Sequence, residues 1–147
     1  EGVDKWHLFP PPRGNSSEQV YCFNLFSTDV GETRVLVSGL TDEQAIGMRF
    51  NTRALPCFTV WRNTPADVDG YVLGIEPATN FPNPRKFEQQ HDRVVKLASG
   101  ERWHSGEVTI VWLADAAAIS KEEATIRAIQ GDRPTNVHTS PREDWSA

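Results

Sequence analysis

Along Ile46, Met48 and Phe50, apolar residues recur at every second position, with Gly47, Arg49 and Asn51 between them. A period of two is the signature of a strand with one buried face, and a helix, with its period of 3.6, cannot bury such a set together. Segment 19–26 repeats the pattern, Tyr21, Phe23 and Leu25 alternating with Cys22 and Asn24. In 71–76, Tyr71, Leu73 and Ile75 point away from Val72, Gly74 and Glu76. Apolar or β-branched runs at 34–38, 57–63, 94–97 and 108–113 bring the strand-like segments to seven. Seven short runs at close spacing predict an all-β fold, an antiparallel β-sandwich.

Turn chemistry suggests how the runs pair. The short STDVGET stretch predicts a hairpin between 19–26 and 34–38, and Ser99-Gly100 with Ser105-Gly106 predict a closing hairpin of 94–97 with 108–113. Segment 77–92 holds Pro77, Pro82 and Pro84 without a period and reads as a long irregular loop. Ser120 followed by Glu123 forms a capping box, so one C-terminal helix is expected to start there and stop at Gly131. Residues 1–17, with three consecutive prolines, read as an N-terminal arm, 18–131 as the sandwich with its helix, and 132–147 as a polar tail.

With 147 residues there is room for one core-bearing domain. The longest apolar-rich run, 108–113, has strand length, so no membrane partner is expected. A net charge of −5 excludes the basic stripe that nucleic-acid binding requires. The two cysteines, Cys22 and Cys57, lie in apolar runs and read as buried free thiols, which favours a cytoplasmic setting. The chain begins at Glu1 with no leader-like segment, as expected of a processed product, a trimmed chain or a piece of something longer. No zinc, calcium, phosphate-loop or nucleophile-elbow spacing occurs, so no cofactor and no metal are expected.

The segment with most chemical content is GYVLGIEPATNFPNPRKFE, 70–88. Alternation sets Glu76 on the face of Gly74, where a missing side chain leaves room above the sheet. Asn80, Asn83 and Arg85 follow on a proline-stiffened stretch. Two readings stand side by side: a polar pocket, or an exposed strand-end carboxylate paired with Arg85 or Arg49. Trp61 is likewise core or an aromatic platform, and Arg49 an ion-pair partner or a ligand contact.

Leu73-Gly74-Ile75-Glu76, Asn80-Phe81-Pro82-Asn83, Val94-Val95-Lys96-Leu97, Ser99-Gly100-Glu101 and 108–113, in that order, resemble the last third of the galactose mutarotase (aldose 1-epimerase) family. Leu55-Pro56 to Trp61 and Ile75 to Asn80 are similar to uncharacterised mutarotase-like proteins, which extends the resemblance to 18–113. It implies a C-terminal half of a mutarotase-like sandwich, completed by a missing N-terminal half or by another chain. It also implies an isomerase that opens and recloses a free sugar or sugar derivative, with a small carbohydrate as ligand. Glu76 would be the catalytic base, and Glu18, Arg49, Trp61, Asn83 and Arg85 substrate contacts; Glu18 stands where the family carries Asp, and its bland reading is a solvated charge. The acid is a histidine in the family, and His7 is the one histidine ahead of the matched region. The alternative is a non-catalytic carbohydrate-binding or partner-binding sandwich.

Overall fold

A computed structural model describes residues 2–39, 41 and 43–147. Its six strands are β1 (Gln19–Phe23), β2 (Glu32–Ser38), β3 (Ala45–Asn51), β4 (Cys57–Asn63), β5 (Val72–Ala78) and β6 (Thr109–Leu113); its helices are α1 (Arg85–Gln90) and α2 (Ala116–Gln130). They form two antiparallel three-stranded sheets, ordered β1-β4-β5 and β2-β3-β6. The chain divides into two compact units, one per sheet.

The first unit comprises Glu1–Asn24, Cys57–Lys96 and Thr135–Ala147. Strand β4 is central, pairing with β1 from Gln19↔Arg62 to Phe23↔Phe58 and with β5 from Cys57↔Ala78 to Asn63↔Val72. Pro77 tolerates its place opposite Phe58 because β5 is an edge strand, where a missing amide leaves no central ladder bond open. One face carries Tyr21, Phe23, Phe58 and Arg62. The N-terminal arm packs on it: Trp6 stands edge-on to Phe23 at 5.2 Å, and Phe23 lies 5.8 Å from Phe58. Arg62, 7% exposed, donates to the carbonyls of Lys5 and Leu8 and to Gln19 and Tyr21, tying the arm down with one guanidinium.

The second unit comprises Leu25–Pro56 and Leu97–Pro134. Helix α2 covers the sheet face that carries Leu36, Ala45, Val111 and Leu113, with Ile119 and Ala118 packed against them. Gly47 lies on the same face, and an added Cβ there would meet Glu122 of the helix at ordinary contact distance, 3.8 Å.

Several expectations are corrected. β1 pairs with β4, and β2 pairs with β3 rather than closing a hairpin with β1. The STDVGET turn does form, with Gly31 at φ +89° and its amide on the Thr28 carbonyl. It lies within the second unit, just after the chain leaves the first at Asn24, and so does not join neighbouring strands of one sheet. Segment 94–97 is not a strand, and β6 pairs with β3 instead; Val94 and Val95 line a cleft, since β-propensity expresses itself only where a sheet edge is on offer. Segment 77–92 is less irregular than expected, because β5 runs to Ala78 and Pro84, with φ −54°, leads into α1.

Helix α2 starts a turn early. Asp115, extended at φ −151°, accepts from the Ala118 amide at 2.8 Å, so the alanine run is already helical and Ser120 lies inside. The expected stop at Gly131 is observed. Ile46 is 40% exposed rather than core, although Met48 and Phe50 on its face are buried. Both cysteines are free; Cys57 is buried and Cys22 only partly so.

Candidate functional site

Ladder register assembles a site on the face of the first sheet opposite Phe23 and Phe58. Trp61 of β4 pairs with Val20 on one side and Gly74 on the other, and Thr59 pairs with Glu76. Opposed residues share a face, so Val20, Trp61, Gly74, Thr59 and Glu76 line one surface. Glycine is what lets Trp61 and Glu76 crowd together: a Cβ at position 74 would stand 3.3 Å from Trp61 Cβ and would overlap Glu76 Oε1. Pro77 then restricts Glu76 to extended backbone.

The surface grades from closed to open. Thr59 is 2% exposed, whereas Trp61 is half-buried, Val20 is 48% exposed and Glu76 is exposed. The indole Nε1 of Trp61 donates to Glu18 Oε2 at 3.1 Å, so Glu18 fixes the ring from the chain just before β1. Among the described residues Glu76 has neither a hydrogen bond nor an ion pair, and the pairing with Arg85 or Arg49 expected of a bland strand-end carboxylate is not seen. Glu18, Trp61 and Glu76 are thus brought together by one sheet.

Asn83 and Arg85 are held differently. A cleft of about 260 Å³ is lined by Thr79, Asn80, Asn83, Arg85, Val94 and Glu88. Arg85 is exposed there, but the Asn83 side chain is occupied: its Nδ2 donates to Glu88 Oε1 at 2.7 Å and to the Trp145 carbonyl at 2.9 Å, and its Oδ1 accepts from the Ala147 amide. Arg49 belongs to the second unit, on Glu122. His7 stacks edge-on with Trp6 at 5.4 Å, and that ring rests on Phe23, a residue of the face opposite Glu76.

Sequence reasoning missed the centre that builds this cleft. Glu88 is 1% exposed and accepts from Arg93, Asn83 and the Phe81 amide. Arg93 also donates to the Asp144 carbonyl at 2.7 Å, and Trp145 packs on Phe81 at 5.0 Å, so the end of the polar tail is docked. Hydrogen bonding from Arg93 holds the Glu88 carboxyl below its ordinary range despite burial. The available signal was Trp145, an aromatic in an otherwise polar segment. Burial pushes the Cys57 thiol up to about 11. Among the described residues no group of three or more His, Cys, Asp or Glu could hold a metal ion, and no helix is long and apolar enough to cross a membrane.

The structure is similar to that of a putative aldose 1-epimerase from Klebsiella pneumoniae, with a TM-score of 0.80 and 28% identity over 90% of this chain. The chain spans 34% of that protein's length, a smaller share than the half implied by the sequence resemblance. With its two antiparallel sheets and one main helix toward the C-terminal end, the fold class is the aldose-epimerase-like β-sandwich. Comparison with curated proteins returns no match. A family model described as a domain of unknown function, DUF4432, matches residues 1–110, and by that span the chain belongs to the DUF4432 family.

Proposed function

We propose that this chain carries the base-bearing C-terminal portion of an aldose 1-epimerase-like isomerase acting on a free sugar or a sugar derivative. The observation that carries this reading is the Glu76 carboxylate, without a partner among the described residues, beside the half-buried indole of Trp61 on an open sheet face. An aromatic face suits the apolar side of a pyranose, and a carboxylate suits its hydroxyls. Glu76 takes the proton of the anomeric hydroxyl as the ring opens. A donor on the far side of the sugar protonates the ring oxygen, and the aldehyde rotates before reclosure. Trp61 is the platform, held in place by Glu18, whose carboxylate is the second acceptor offered to sugar hydroxyls. Arg85 reaches sugar hydroxyls from the neighbouring cleft, and Asn83 supports that cleft through Glu88.

Support also comes from the similarity to the Klebsiella protein described as a putative aldose 1-epimerase. The alternative on the same surface is a sugar-binding sandwich without turnover, favoured by the exposure of Glu76, which leaves it hydrated. Saturation-transfer NMR of anomeric exchange on a panel of aldoses separates the two. Acceleration that falls by roughly 10²–10⁴ in Glu76→Gln supports the isomerase. Line broadening of a sugar without accelerated exchange selects the binding module, and neither effect on any aldose overturns both.

A further inference from the structure

Arg34 and Arg49 stand directly opposite each other across the β2–β3 ladder. Like charges in that register repel, and one carboxylate answers both. Glu122 of α2, 5% exposed, accepts from Arg34 Nη1 at 3.0 and 3.2 Å, from Arg49 Nε at 3.1 Å and from Arg49 Nη2 at 2.8 Å. Burial pushes the Glu122 carboxyl up, but the bonds and charges of Arg49 and Arg34 outweigh it and hold the group below its ordinary range. Glu122 is therefore a fixed anion between two fixed cations.

The balance is not closed. The same cleft, of about 370 Å³, is also lined by Lys121 and Thr125, with Leu113 and Ala118 as its apolar floor. Three cations meet one anion there, a surplus of two positive charges on a chain whose net charge is −5. The arginine side chains stay open to solvent, 26% and 39% exposed. Among the described residues Arg34 Nε and Nη2 and Arg49 Nη1 have no acceptor. Because Glu122 already orients both guanidinium forks, a ligand meets preorganised donors and loses little side-chain entropy in using them.

We infer that this cleft is a binding site for a dianionic oxyanion group, phosphoryl or dicarboxylate, on a small ligand. Arg34 and Arg49 donate to its oxygens, Lys121 supplies the second balancing charge, and Leu113 and Ala118 take the organic part. The site lies wholly in the second unit and is independent of the sugar reading.

The test follows backbone amide shifts of the full chain by ¹⁵N–¹H NMR during titration with sodium phosphate, and separately with disodium succinate, at constant ionic strength held with sodium chloride. Saturable shifts confined to residues around 34, 49 and 118–125 are expected with at least one of the two, and the one that saturates names the group. Lys121→Ala removes an exposed side chain with no ion pair among the described residues, and should weaken binding severalfold. Arg34→Gln, which leaves Glu122 its two bonds from Arg49, should weaken it by about tenfold. Shifts that rise linearly without saturation, or that persist unchanged in both folded variants, overturn the proposal.

Discussion

The Arg93 guanidinium grips the Glu88 carboxylate through both oxygens, Nε to Oε2 at 2.6 Å and Nη2 to Oε1 at 2.8 Å, in a place where Glu88 is 1% exposed. A buried ion pair stands on geometry as much as on charge, and here the Phe81 amide and the Asn83 side chain complete the carboxylate's acceptors. The pair joins α1, the 79–83 segment and the docked C-terminal residues.

Removing one partner strands the other. Glu88→Ala leaves a partly buried guanidinium without its anion and should cost about 3 kcal/mol, the low end of what breaking a buried pair costs, read as a shift of the denaturant midpoint. The pH dependence has a definite sign. Because the folded Glu88 pKa lies below its ordinary value, its contribution is fully present above the unfolded glutamate pKa, about 4.3, and is lost as pH falls through the folded value. Stability of the parent should drop through that acidic window more steeply than that of Glu88→Gln.

Gly74→Ala should injure the site and spare the fold. The new methyl displaces the flexible end of Glu76, which has nothing else to hold it, and presses on Trp61 at 3.3 Å. On the proposed reading, sugar-dependent activity falls by tenfold or more while thermal unfolding moves by no more than about 1 kcal/mol. Equal activity in the variant would show that the Glu76 position is not critical.

Two glycines of the second unit should respond in opposite ways. At Gly47 an added methyl meets neighbours no closer than 3.8 Å, so Gly47→Ala should be neutral or stabilise by about 0.4–1 kcal/mol. At Gly31, φ is +89° and a Cβ would come within 2.6 Å of Asn51 Oδ1 and 2.9 Å of Arg53 Cγ, so Gly31→Ala should cost about 1–3 kcal/mol. Parallel chemical denaturation of the two proteins checks both.

Cys57, 4% exposed with its thiol pushed up to about 11, should resist alkylation at pH 8, and Cys22, raised by burial as well, should react slowly. Iodoacetamide labelling followed by mass spectrometry should show Cys57 modified only as denaturant opens the protein. Rapid native labelling would contradict the packing of β4.

The strands were readable because alternation is local. Ile46-Gly47-Met48-Arg49-Phe50-Asn51 carries its period within six residues, and β3 lies where that period predicts. Gly131 ends α2 for an equally local reason, the positive φ of 57° that a glycine accepts. The face shared by Gly74 and Glu76 followed from the same alternation.

Partners were a different matter, because pairing depends on residues far away in the chain. That β1 would choose β4 rests on Phe23 meeting Phe58 and on Arg62 collecting Gln19, Tyr21 and the arm carbonyls, contacts between residues 35 to 57 positions apart. Val94 and Val95 have strand propensity but no strand to join. Glu88 and Glu122 look like surface acids in sequence, and only the fold brings Arg93 to one and Arg34 with Arg49 to the other. By itself the sequence determined six of the seven expected extended segments, which face their side chains take and where the chain turns, since these follow from side-chain period and backbone sterics within a few residues. Tertiary structure alone decided strand order, the burial of the two carboxylates and the meeting of Glu18, Trp61 and Glu76, because those depend on which distant surfaces remove each other from water.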